Sequence, residues 1–229
     1  MYKEKKVSVI IPALNEEKSI SNVINDLPKD IVDEIIVVDN GSSDNTVSLA
    51  ADAGARVVKE NVKGYGAACK RGIFCSEDTD IIVVLDADYS DYPDRIGLLL
   101  HPIVEEDFDM VLGSRILGKA ENGSLTKAQI LGNRLATYLI AQITGFKYTD
   151  MGPFRAIKKE KLKDLNMADN NFGWNVEMQI KAVKNGLKIK EVPVDYRHRI
   201  GTSKISGTLS GATKAGIKII YSVFKYGRT

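Results

Sequence analysis

Asp86-Ala87-Asp88 follows directly on Ile81-Ile82-Val83-Val84-Leu85, five branched aliphatics without a charge. A run of this kind reads as a strand buried on both faces of a parallel sheet. Its C-terminal end is where open α/β sheets bind ligands. Two carboxylates one residue apart at such an edge call for a cation, because unpaired charge is costly to bury. Hard oxygen ligands with an open coordination sphere suit Mg²⁺ or Mn²⁺, with a substrate diphosphate completing the shell. Taken alone, Asp-x-Asp is more often a pair of solvated loop carboxylates, so the rest of the chain has to decide.

Other strands end in polar groups on the same edge. The first runs into Pro12-Ala13-Leu14-Asn15-Glu16, the second into Asp39-Asn40-Gly41-Ser42-Ser43-Asp44, and the fifth into Gly113-Ser114-Arg115. Lys63-Gly64-Tyr65-Gly66 opens the helix after the third strand, where backbone N–H groups and the helix N-terminus favour an anion. Three familiar signatures are excluded. Gly64-x-Gly66 lacks the third glycine of a dinucleotide fingerprint and does not follow the first strand. Gly113-to-Lys119 has P-loop spacing, but Ala120 replaces the hydroxyl that would bind Mg²⁺. A dehalogenase-type nucleophile would lie on the first strand, whereas Asp86 lies on the fourth.

The elements that position these groups are short β-branched strands at 7–11, 34–38, 56–59, 80–85 and 110–112. They alternate with helical patterns at 16–26, 44–53, 67–75 and 94–105, with Asp44 as an expected N-cap and Gly54 as an expected C-cap. Strand–helix alternation implies βαβ units and a mostly parallel sheet flanked by helices. Past residue 115 the alternation stops. A Gly- and polar-rich stretch at 116–125 reads as a mobile loop. It is followed by a helix at 126–144, a loop at 150–154, a helix at 174–185, a strand at 188–195 and a last helix at 206–225. The chain thus divides into a first half, 1–115, whose strand ends carry these polar groups, and a second half, 116–229, within one compact domain.

With 229 residues, 44% of them hydrophobic, the chain can bury a sizeable core. Net charge is only +2, but after Asp195 there is no acid and seven Lys or Arg. Such a tail suits an anionic partner, a phosphate or a lipid headgroup, or it is simply solvated. In the last helix Lys214, Lys218 and Lys225 fall within about 40° of one another, with Leu209, Ile217, Ile220 and Phe224 on other faces. That pattern suits lying on a membrane surface or packing against the sheet. Cys69 and Cys75 sit roughly 9 Å apart along one helix and cannot form a disulfide within it. Two free thiols, no signal-peptide pattern at Met1–Lys6 and no apolar span of membrane length read as a cytoplasmic protein, at most peripheral on a membrane's cytoplasmic face. Nothing points to nucleic acid, and the oligomeric state is not legible.

Val7-Ser8-Val9-Ile10-Ile11-Pro12-x-x-Asn15-Glu16, Glu34-Ile35-Ile36-Val37-Val38-Asp39-Asn40-Gly41-Ser42-Ser43-Asp44-x-Thr46 and Asp86-x-Asp88 resemble family 2 glycosyltransferases of GT-A fold. Asp150-Met151-Gly152-Pro153-Phe154-Arg155-Ala156, Glu177 in Trp-Asn-Val-Glu-Met, and Arg197-His198-Arg199-Ile200-Gly201-Thr202-Ser203-Lys204 resemble the dolichyl-phosphate mannose and glucose synthases. The resemblance implies that Pro12, Ala13, Glu16 and Asp39 hold a nucleoside, joined on the donor side by the strand-end and loop residues Asn15, Ser42, Lys63 and Gly64. It places Asp86, Ala87 and Asp88 around metal and diphosphate, with Asp86 and Asp88 as the ligands and Asp88 also taking part in catalysis. Arg115 would lie near the phosphates, and Arg155, Arg197, Arg199 and Lys204 on the acceptor or diphosphate side. Ser90 stands where those synthases usually carry Gln, and the membrane-spanning tail of many members has no counterpart here.

The expected reaction is hexose transfer from a nucleoside diphosphate sugar of the UDP-glucose or GDP-mannose type to a polyprenyl phosphate. A lipid phosphate is already anionic and needs no strong base. A sugar, glycerate or other small hydroxyl acceptor needs a carboxylate to take the proton, with Glu177 first and Asp150 second as candidates. A nucleotide-sugar-binding module without turnover is the remaining alternative.

Overall fold

The computed structural model describes residues 1–201 and 209–228, and within the last helix the side chains of 218–227. Lys204 and the side chain of Lys214 lie outside the described residues. Strands β1 (Val7–Ala13), β2 (Glu34–Asp39), β3 (Arg56–Lys59), β4 (Ile81–Val84), β5 (Met110–Ser114), β6 (Arg155–Lys158) and β7 (Ile189–Pro193) form one sheet. Its order is β3-β2-β1-β4-β6-β5-β7. All pairings are parallel except those of β6, which runs against both β4 and β5.

Successive side chains of each strand point to opposite faces, so the sheet needs a helical layer on each side. Val7, Val9, Ile11, Val37 and Val83 face one layer and pack with Ile20, Val23 and Ile24 of α1 (Ile20–Asn25) and Leu99, Leu100 and Ile103 of α4 (Gly97–Glu105). Ile10, Ile36, Val38, Ile82 and Val84 face the other, against Ala68 and Cys69 of α3 (Tyr65–Cys75) and Trp174, Met178 and Ile180 of α7 (Trp174–Lys184). Burying one such branched side chain contributes about 1.5–3 kcal/mol. The remaining helices are α2 (Thr46–Asp52), α5 (Lys127–Thr144), α6 (Lys159–Asp164) and α8 (Leu209–Arg228). Among the described residues no helix is long and apolar enough to cross a membrane.

The chain winds outward from β1 through β2 to β3, then crosses back to β4 on the other side of β1. Loops after β1 and β4 therefore diverge and open a crevice at the carboxyl ends of these strands. Asp86 and Asp88 lie there.

Several local expectations change. β6 falls between the expected 150–154 loop and the expected 174–185 helix, where no element was assigned; it fills the space between β4 and β5 and turns that region antiparallel. Helix α2 begins at Thr46 rather than Asp44, because Asp44 Oδ1 accepts from both the Thr46 N–H at 3.1 Å and its hydroxyl at 2.5 Å. Gly54, with φ +95°, follows the end of that helix as expected. The 116–125 stretch is pinned rather than free: Tyr196 N–H donates to Lys119 O at 3.0 Å, Glu121 N–H to Tyr196 O at 2.8 Å, and His198 N–H to Glu121 Oε2 at 3.0 Å. Cys69 and Cys75 are both free and buried. Helix α8 packs on α5 and α7, burying Val223 and Tyr226 while Tyr221 and Phe224 stay exposed.

Candidate active site

At one end of the crevice the loops after β1 and β2 are stitched together. Asn15, whose φ of +53° is rare for a side-chain-bearing residue, donates from its N–H to Ser42 Oγ at 2.9 Å and accepts the Ser43 N–H at 2.8 Å. Glu16 N–H donates to Thr46 Oγ1 at 2.8 Å. Asp39 is buried and its carboxylate accepts the Ser42 N–H at 2.9 Å, while its backbone lies in register with Ala13, as that of Val38 does with Pro12. Asn40 links this pair of loops to the next element. Its amide donates to Glu60 O and Val62 O, and its Oδ1 accepts the Gly64 N–H at 2.7 Å. Lys63 Nζ caps the Asn40 carbonyl at 2.8 Å. Pro12, Ala13, Asn15, Asp39, Ser42, Lys63 and Gly64 are thus brought together at one end.

The carboxylates of the Asp-Ala-Asp turn occupy the middle. Asp88 Oδ1 accepts from Ser90 N–H at 3.0 Å and Ser90 Oγ at 2.5 Å. Ser90, the residue noted as a departure from the resembled synthases, thereby orients Asp88. Asp88 Oδ2 meets Arg199 Nη1 at 3.1 Å, while Arg199 Nη2 reaches Glu16 Oε1, also at 3.1 Å. One guanidinium therefore spans the crevice between the β1 and β4 loops. Burial first, and then the neighbouring Asp88 charge, push the Asp86 carboxyl up to about 7, against the pull of Arg199 and Arg115. The pair suits a hard divalent cation, being carboxylate oxygens held in a cleft. Among the described residues no third Asp, Glu, His or Cys converges with them. A bound Mg²⁺ or Mn²⁺ would then take the rest of its shell from a diphosphate and water.

Asp91 was not anticipated. It is 1% exposed, and neither carboxylate oxygen has a donor among the described residues. Burial, followed by the charges of Asp86 and Asp88, raises its carboxyl well above the ordinary range. The sequence signal was available: a third carboxylate three residues past Asp88.

The residues expected on the acceptor side divide sharply. Arg115 lies at the crevice in a bidentate pair with Asp150, Nε to Oδ2 at 2.7 Å and Nη2 to Oδ1 at 2.8 Å, and its own N–H donates to Oδ2 at 2.9 Å. Asp150 is thereby saturated, and at 2% exposure it is not open to an acceptor hydroxyl. Glu177 is fully buried on α7 and accepts the N–H groups of Ala168 at 2.8 Å and Asp169 at 2.7 Å, besides pairing with Lys181 at 2.7 Å. Both expected proton acceptors are internal ties. Arg155, expected beside a phosphate, is 0% exposed within β6 and donates to Gly152 O and Pro153 O. Arg197 is likewise committed: its guanidinium lies 3.3 Å from the Tyr89 ring centroid and 4.3 Å from that of Tyr92, and it donates to Tyr89 O and Asp91 O. Of these expected cations, Arg199 reaches Asp88.

A model of glycosyl transferase family 2 matches residues 8–165, which include the ends of β1, β2, β4 and β5. The chain is 32% identical over 213 residues to the dolichyl-phosphate hexose transferase of Haloferax volcanii, covering 90% of this chain and 89% of that one. It is 31% identical over 232 residues to the UDP-N-acetylglucosamine–dolichyl-phosphate N-acetylglucosaminyltransferase of Methanococcus voltae, covering 89% and 92%. Glucosyl-3-phosphoglycerate synthase of Mycobacterium tuberculosis superposes with a TM-score of 0.80 at 23% identity over 98% of this chain and 79% of that one, a likeness of fold. Sheet order, strand-end carboxylates and the matched span agree: the chain is a GT-A glycosyltransferase and belongs to glycosyl transferase family 2.

Proposed function

We propose that the protein moves a hexose from a nucleoside diphosphate sugar to a polyprenyl phosphate, with Mg²⁺ or Mn²⁺ at Asp86 and Asp88. One observation carries the choice of acceptor. Glu177 and Asp150, the carboxylates suited to deprotonating a hydroxyl, are buried and fully engaged. Asp91, the buried carboxyl without a donor, is shut off from solvent. An acceptor phosphate is anionic on arrival and needs none of them. The names of the Haloferax and Methanococcus relatives, both dolichyl-phosphate transferases, support the same acceptor class.

When bound, the cation would neutralise charge developing on the departing diphosphate. The chain's own residues do the rest. Asp39, Asn40 and the linked 15–16 and 42–46 loops shape the end that receives the nucleoside. Arg115, braced by Asp150, holds a fixed positive charge beside the diphosphate path. Arg199, which now bridges Glu16 and Asp88 with one contact to each, can leave them for an incoming phosphate, exchanging carboxylate oxygens for phosphate oxygens. The Mycobacterium synthase has been solved with Mn²⁺ and UDP, and separately with Mg²⁺ and UDP, which supports a divalent cation and a uridine donor here.

Radiolabelled UDP-glucose, GDP-mannose and UDP-N-acetylglucosamine, each offered with polyprenyl phosphate in detergent, test the assignment. Label should move into the organic phase with one donor and only with Mg²⁺ or Mn²⁺ present. A second reading, transfer to a small soluble acceptor, is favoured by the phosphoglycerate bound in the Mycobacterium synthase. Label that reaches phosphoglycerate or a sugar but never the lipid would establish that reading and sink the first. Nucleotide binding without transfer to anything would leave a binding module.

A further inference from the structure

Glu177 and Asp169 form a buried carboxylate pair that organises one short stretch of backbone. Glu177 accepts the N–H groups of residues 168 and 169. Asp169, 4% exposed, accepts the Asn171 N–H through Oδ1 at 2.7 Å. Its Oδ2 meets Lys218 Nζ at 3.2 Å and the Tyr226 hydroxyl at 3.5 Å, both from α8. With its N–H groups turned toward these carboxylates, the stretch presents its carbonyls to the first turn of α3. Ala67 N–H donates to Asn170 O at 3.0 Å, and Lys70 Nζ to Ala168 O at 3.2 Å. The contact is close enough that a Cβ on Gly64 would collide with Asn170 O, and one on Gly66 with Asp169 O. Gly64 has φ +135°, a conformation that glycine alone adopts readily. That same Gly64 donates to Asn40 Oδ1, next to Asp39, and follows Lys63, which caps Asn40.

We infer that Glu177 is a positioning residue for the nucleoside end of the donor cleft, acting through the 168–171 backbone and Gly64 rather than on the acceptor's proton. The inference rests on reading the Asp39–Lys63 end as the nucleoside pocket. Glu177 sets how well the donor is held, and the bound donor reacts at an undiminished rate.

The test is Glu177→Gln in the full chain, since the amide has one accepting oxygen where two backbone N–H groups need acceptors. UDP and GDP binding with Mn²⁺ is followed by calorimetry, and donor KM and kcat by transfer of label. The expected result is a rise of about tenfold in nucleotide Kd and donor KM, the order of one lost hydrogen bond, with kcat and its pH profile kept. A collapse of kcat with unchanged Kd would make Glu177 the base and overturn the inference. Lys70→Met addresses the same backbone from the exposed side and decides the matter if Glu177→Gln does not fold: a raised KM at constant kcat upholds the inference, an unchanged KM overturns it. Wild-type protein that binds neither nucleotide removes the pocket reading together with the inference. Wild-type protein that binds, with both variants binding equally well, removes the inference alone.

Discussion

Arg199 offers the sharpest test of the crevice. Its guanidinium sits 3.1 Å from Asp88 Oδ2, so a cation arriving at Asp88 has to compete with a charge already there. At an effective dielectric of about 20, one such contact is worth roughly 5 kcal/mol before desolvation and screening. The Arg199 side chain is 29% exposed and Asp88 9%, so most of that attraction is offset by solvent, leaving about 1–2 kcal/mol net. Arg199→Ala should therefore tighten binding of Mn²⁺ alone by about 5- to 30-fold, with Arg199→Lys between the two. Calorimetry without nucleotide at pH 7.5 and fixed salt reads the change directly, and circular dichroism checks that the fold is kept. Transfer to polyprenyl phosphate should fall at the same time, because the cation that would meet the acceptor phosphate has gone. A folded Arg199→Ala protein that binds Mn²⁺ no more tightly than wild type would refute the competition argument.

Three other outcomes are expected. Asp88→Asn should abolish measurable Mn²⁺ binding and lower transfer at least about a thousandfold, the scale of several kcal/mol of lost charge stabilisation; near-normal turnover would remove Asp88 from the metal site. Asp150→Ala leaves the Arg115 guanidinium, 12% exposed, without its bidentate partner, and should cost about 3–5 kcal/mol, or a fall in Tm of roughly 6–20 °C by calorimetry. A Tm within a degree of wild type would show that the pair is not a structural tie. With Asp86 raised to about 7, its folded form holds a proton that a carboxylate of ordinary pKa would have lost, and Mn²⁺ must displace it. Mn²⁺ affinity should then climb as pH rises from 5.5 through 7 and level off about a unit above it, with proton release on binding at the acid end; a flat profile would contradict this.

Much of the sheet, and the polar groups at its strand ends, was legible because those signals are local. Buried strands announce themselves as uncharged β-branched runs, and Asp39, Asp86 and Asp88 are recognised by their place at the ends of those runs. The free state of Cys69 and Cys75 likewise came from helical spacing. β6 was not legible: Arg-Ala-Ile-Lys is short, charged at both ends, and becomes a strand only by pairing between β4 and β5. The burial of Glu177, Asp150 and Arg155 among internal partners was not legible either, for a related reason. A carboxylate or guanidinium on a helix or strand has the same spelling whether it faces a substrate or a buried backbone N–H.

The sequence by itself determined the fold class and which strands end in polar groups, because hydrophobic periodicity and residue type act over a few residues. The tertiary structure alone decided which charges remain free to act. Arg199 reaches Asp88 across 111 positions and Glu16 across 183, whereas Arg155, Arg197, Asp150 and Glu177 are spent on internal partners. Desolvation and hydrogen-bond satisfaction set that division, and both depend on what the fold packs around each group rather than on its neighbours in the chain.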